Sequence, residues 1–136
     1  MKPAFRLLAL LSMATLLTLS VVGCGDAAKK KEIPPEEMIA KSWKLQKLSL
    51  PGEQVDPAIM GTSSFTFYKN GRYEILMGEL ERGKWWLSPD KKILFTKADI
   101  RPEAGEMDIV KLEPDYLILT NNLPENPVTF EMVPVQ

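Results

Sequence analysis

The sequence predicts an all-β domain: an eight-stranded antiparallel up-and-down barrel with a short N-terminal helix, following a cleaved secretory signal. Three observations carry this. From Trp43 to the C-terminus the apolar residues fall in short, often alternating runs, the pattern of strands with one buried face. Eight such runs can be counted, "WKLQKLSL", "SFTFYK", "RYEILM", "GKWWLS", "KILFTK", "MDIVKL", "YLILT" and "VTFEMV", with no useful stretch of helical period between them. Their connections are mostly short and rich in turn residues, which favours antiparallel neighbours over parallel crossovers. So many strands in one small domain must manage their edges, and closing the sheet into a barrel removes them. A barrel of that size is just wide enough to be filled by side chains or to hold one small ligand.

At the N-terminus, Lys2 and Arg6 form a short positive segment, and Leu7 to Val22 is an apolar run diluted by Ser and Thr. That is the layout of a secretory signal, with an apolar core short for a membrane span of roughly 20 residues. The chain therefore divides into residues 1–23 as signal, 24–34 as a flexible tether and 35–136 as the barrel domain. At the junction, "VVGC" resembles the lipobox of bacterial lipoproteins, with Val21 and Gly23 at the apolar and small positions and Cys24 as the modified residue. The resemblance implies thioether diacylation of Cys24, cleavage before it, acylation of the new amine, and the membrane as partner through those lipids. Gly25 stands where some lipoproteins carry the Asp that retains them at the inner membrane, so the resemblance implies a cell-envelope protein and favours the outer membrane. Physically, one acyl chain holds a protein only marginally whereas two or more make a stable anchor. A disulfide within the chain is excluded because Cys24 is its only cysteine.

Cleavage before Cys24 removes Lys2 and Arg6 and leaves 15 basic against 18 acidic side chains. No basic excess and no basic cluster on one element points to nucleic acid. Lys29, Lys30 and Lys31 do form a run, within a polar, Pro-containing stretch that reads as a solvated tether. Pro35 then suits a first helical turn, Glu36 and Glu37 favour a helix N-terminus, and Met38 and Ile39 supply apolar contact, so "PEEMIAKS" is expected to be helical.

The turn around "KNG" sets the strand register. A two-residue Asn-Gly turn would pair Tyr68 with Tyr73; a three-residue loop with Gly71 in the left-handed bulge position pairs Phe67 with Tyr73 and Phe65 with Ile75. Only the second puts Phe65, Phe67, Tyr73, Ile75 and Met77 on one face, and a one-residue slip would expose the whole set. The same parity places Trp85, Leu87, Val128, Phe130 and Met132 inward and Trp86 outward. "MDIVKL" changes parity between Ile109 and Val110, which indicates a bulge. "KILFTK" and "YLILT" are apolar on both parities and assign no face with any force.

The run "SFTFYKNGRYE…GKWWLSPDKKILFT…DIVKLEPDYLIL" resembles the small bacterial lipocalin-like lipoproteins, with Phe65, Phe67, Gly71, Tyr73, Gly83, Trp85, Asp90, Leu94 and Leu117 on the pattern and Trp43 and Leu45 before it. The resemblance spans roughly residues 37–133 and implies a lipocalin-like barrel. Lys41 stands where the larger lipocalins carry the Gly of Gly-x-Trp, and no Lys or Arg follows Lys111.

Chemistry is sparse. With no histidine in the chain, serine or cysteine nucleophile arrangements built on histidine are absent, as is histidine ligation of a metal. No sequence motif implies a cofactor or a metal site. Glu79 and Glu81 at one hairpin tip, and Glu103, Glu106 and Asp108 in "DIRPEAGEMD", are the only carboxylate groupings, and both read as solvated loop residues. The chain is not expected to be an enzyme. Trp43, Phe65, Phe67, Tyr73, Trp85 and Phe130 either line a pocket for one small apolar ligand or fill the barrel as core. Outward-facing Trp86 either packs under the helix near Met38 and Ile39 or contacts a partner. Two functions follow: a lipid-anchored, non-catalytic binding protein for a small apolar ligand, or an interaction, inhibitor or accessory module that binds another envelope protein with a filled barrel. The anchor has a direct test: Cys24→Ser should release the protein from membranes or stall its processing, and unchanged membrane association on fractionation would refute it.

Overall fold

The computed structural model describes residues 31–136 apart from residues 57, 59–61 and 122, so the signal segment, Cys24 and most of the tether lie outside the described residues. Chain alternation becomes nine antiparallel strands in one sheet: β1 (Ser42–Leu50), β2 (Glu53–Val55), β3 (Ser64–Phe67), β4 (Arg72–Met77), β5 (Glu79–Leu87), β6 (Ile93–Ala98), β7 (Gly105–Glu113), β8 (Tyr116–Asn121) and β9 (Val128–Pro134). From β3 to β9 each strand pairs with the next in sequence, and β9 returns to β1, so β1 and β3–β9 close an eight-stranded barrel. The eight expected runs are the eight strands of the ring, and β2 is a short additional strand on the edge of β1. β3 covers only the Ser42–Lys44 end of β1, and β2 pairs with Leu48–Leu50 further along the same edge. With three residues, only one of them apolar, β2 has no periodicity from which to be recognised.

The interior follows parity. Trp43, Phe65, Phe67, Tyr73, Leu94, Leu117, Leu119 and Met132 are almost wholly buried and form one cluster. In the turn before β4, Gly71 has φ of +82° and its N–H donates to the Tyr68 carbonyl at 3.0 Å, while Phe67 pairs with Tyr73 and Phe65 with Ile75. That is the bulged register, and Asn70 keeps a negative φ. In β7 the register shifts between Ile109 and Lys111, leaving Val110 as the extra, exposed residue of a bulge. The runs without a clear parity resolve with Leu94, Leu117 and Leu119 inward and Phe95 outward beside Trp86.

A helix, α1 (Pro35–Ile39), plugs one end of the barrel. Pro35 starts it where a missing N–H costs nothing, and Glu36 and Glu37 lie in its first turn. It is shorter than the sequence suggested, because the Phe67 N–H already takes the Lys41 carbonyl at 3.0 Å and draws the chain into the sheet. Ile39 is fully buried and its carbonyl accepts the Trp43 indole N–H at 2.9 Å. Lys41 reaches the Pro114 carbonyl at 2.8 Å, and Glu36 pairs with Lys91, so α1 is tied to the β7–β8 and β5–β6 turns. The opposite end, ringed by the β4–β5, β6–β7 and β8–β9 connections, carries no such plug among the described residues.

The turn geometry predicts a contrast in stability. A Cβ at Gly71 would meet only the Trp85 carbonyl oxygen, at an unstrained 3.7 Å, so the cost of Gly71→Val is the positive φ, about 1–3 kcal/mol. Asn70→Ala loses one exposed hydrogen bond, from the Arg72 N–H to Asn70 Oδ1 at 3.0 Å, worth about 1 kcal/mol or less. Urea unfolding of the two variants should show Gly71→Val clearly the less stable.

Candidate functional site

The six aromatics expected inside divide into two groups. Trp43, Phe67, Tyr73 and Trp85 fill the half next to α1. Phe67 meets Trp85 edge-on with centroids 5.7 Å apart and lies 6.4 Å from Tyr73. Both buried indoles are satisfied, Trp85 donating to the Tyr68 carbonyl at 2.9 Å. Phe65 and Phe130 instead meet edge-on at 5.5 Å and line a cavity that opens through the unplugged end.

This mouth cavity has a volume of about 660 Å³, within the range of about 300–1,000 Å³ usual for small-molecule sites. Ile75, Met77 and Met107 continue its apolar lining. Leu80 at the start of β5, Ile100 in the β6–β7 connection and Leu123 in the β8–β9 connection, all well exposed, stand on its rim. The polar lining is Glu79, Glu81, Glu106, Arg101, Thr96 and Asn121. The barrel is thus a packed core at one end and a cup at the other.

Glu81 departs from the solvated loop residue expected from sequence. The hairpin reverses at Gly78, whose φ is +78°, and β5 already begins at Glu79. Glu79 and Glu81 therefore share the inward parity of Gly83 and Trp85, opposite Met77 and Ile75. The Tyr73 hydroxyl donates to Glu81 Oε1 at 2.8 Å, and Arg101 Nη2 lies 3.4 Å from Oε2. Gly83 makes this possible. Paired with Tyr73 across the strands, it is where a Cβ would meet Tyr73 Cε1 at 2.7 Å and the Lys97 carbonyl oxygen at 2.0 Å. With no side chain there, the Tyr73 ring lies over the strand and its hydroxyl reaches Glu81. Parity counted back from Trp85 would have located Glu81; reading "GELERG" as a loop tip concealed it. Glu106 is exposed as expected, but on a strand and not in a loop, since β7 begins at Gly105 and pairs it with outward Phe95.

Trp86 is 43% exposed and stacks on Phe95, its cross-strand partner, at 5.5 Å and 11°. It borders a separate surface cleft that Glu36, Glu37 and Ala40 of the α1 region also line. Among the described residues no group of three or more carboxylates is placed to hold a metal ion.

No family model matches the chain, and no curated protein matches it. Among solved structures, a lipocalin-like protein from Bacteroides uniformis ATCC 8492 superposes with a TM-score of 0.50 over 68% of this chain and 96% of that one, at 16% identity. The fold is lipocalin-like. At that identity the likeness speaks for the architecture, and the cup and its carboxylates are features of this chain.

The Tyr73–Glu81 bond has a pH consequence. Burial first, then donation to Glu81, push the Tyr73 hydroxyl well above the ordinary tyrosine value of 10.0. The folded chain thus keeps a proton that the unfolded chain releases above that pH, so this contribution to stability is intact below about pH 10 and is lost on going higher. Between pH 8 and pH 11 the loss is on the order of 1 kcal/mol for this one group. Tyr73→Phe should lose correspondingly less stability over the same interval in urea titrations at the two pH values.

Proposed function

We propose that this chain is a lipid-anchored, non-catalytic protein of the cell envelope whose barrel mouth holds one small apolar ligand. The cup carries the reading: about 660 Å³, floored by Phe65 and Phe130, open at one end and sealed by α1 and packed rings at the other. Concave apolar sites with a few polar groups are the usual form of small-molecule sites. The anchor rests on "VVGC" and on a single cysteine directly after a secretory signal pattern. A non-catalytic role is supported by the absence of histidine from the sequence and by the engagement of Glu81 with Tyr73 and Arg101. Outer-membrane placement rests on Gly25.

One observation favours a second reading, an interaction module for another envelope protein. Trp86, stacked on half-buried Phe95, is an exposed ring on the α1 cleft, and Trp is enriched in protein interfaces. Native mass spectrometry of the purified mature chain distinguishes the two. A ligand carrier is expected to show an added small mass that dissociates as an apolar species; a barrel always empty, and unable to take up an alkyl probe, overturns the carrier reading.

A further inference from the structure

The walls of the cup are not chemically neutral, and their polar groups sit in a definite order. Phe65 pairs with Ile75 and Ile75 with Glu81, which makes one layer across β3, β4 and β5. Toward the mouth, Met77 pairs with Glu79. Just inside the mouth, then, two carboxylates, Glu79 and Glu81, share the inner face of β5.

The charges have a sign. Among the described residues that line the cavity, Glu79 and Glu81 face it against Arg101 alone, since Glu106 pairs with outward Phe95. Glu81 is the fixed member, because the Tyr73 hydroxyl orients one of its oxygens from within the core. Its other oxygen faces Arg101, whose side chain is 68% exposed and which stands 3.4 Å away. An exposed pair of that kind is weak, so this guanidinium is a cation that an incoming one can replace. Carboxylates only accept hydrogen bonds, whereas a primary ammonium offers three donors and one positive charge.

We infer that the ligand of the cup is an amphiphile with a primary ammonium head: its alkyl or aryl part lies on Phe65, Phe130, Met77 and Met107, and its ammonium displaces Arg101 from Glu81 near Glu79. The inference rests on the cup being a ligand site. Fatty acids and other anionic amphiphiles are disfavoured by the same carboxylates.

The test uses the mature lipid-anchored chain in zwitterionic nanodiscs with labelled methionine methyls, titrated with octylammonium, octanoate and octanol. Octylammonium should shift the Met77 and Met107 methyl signals with an affinity about tenfold or more above that of octanoate, with octanol between them. Glu81→Gln keeps an acceptor for Tyr73 but removes the charge, and should bring octylammonium down to the octanol level while leaving octanol unchanged. Arg101→Gln removes the resident cation and should tighten octylammonium, a gain that misfolding cannot produce. Octanoate binding as tightly as octylammonium, or Glu81→Gln and Arg101→Gln leaving the preference unaltered, overturns the ammonium assignment and leaves the cup as a ligand site. If none of the three probes moves either methyl, the carrier reading fails and this inference falls with it.

Discussion

The pairing of the first barrel strand with the last is the constraint on which the rest depends. β1 and β9 hold each other from Trp43–Pro134 to Ser49–Thr129, with a bulge at Gln46, and this seam turns an open sheet into a ring. The cup is a product of the seam. Phe65 lies on β3 and Phe130 on β9, the strands on either side of β1, so their edge-on contact exists only when the ring is shut. Because the seam joins residues from opposite ends of the domain, much of the chain must be ordered before that contact contributes anything.

Within the ring, the two ends are built differently. At the α1 end, large rings meet in the centre and every described indole N–H inside finds a carbonyl, which gives a dry and satisfied core. At the other end the inward positions pass from Phe and Tyr to Ile, Met, Thr and Glu, side chains that do not meet across the barrel. Gly83 links the two. By omitting a side chain it lets Tyr73 belong to the core while its hydroxyl reaches a carboxylate of the cup.

How much of this the sequence disclosed depended on the kind of constraint involved. Register was legible at the "KNG" turn, because only one loop length put Phe65, Phe67 and Tyr73 on a single face. The β7 bulge was legible because Ile109 and Val110 break alternation. Strand β2 was not, since three residues placed by tertiary contact leave no pattern. Nor was the division of six inward aromatics into four that pack and two that floor a cavity. Parity reports which way a side chain points; whether opposite walls touch is a matter of volume. Glu81 was missed because a charged residue near a turn is usually solvated, whereas the turn here is so tight that the strand has already begun. The lipid anchor remains a reading of sequence, as Cys24 lies outside the described residues.

The separation of packed end from cup also bears on how such a chain can change over evolutionary time. The rings packed beside α1 and the residues of the cup wall occupy different levels of the same strands; Phe65 and Met107 belong to both the core and the wall, and Tyr73 joins the two through Glu81. Exchanges at Leu80, Ile100 and Leu123, exposed on the rim, leave the buried core untouched, so a lineage can alter the mouth of the cup while keeping the same scaffold. Tyr73 is the point where that freedom stops: an alteration there is felt by the core and by the cup wall together.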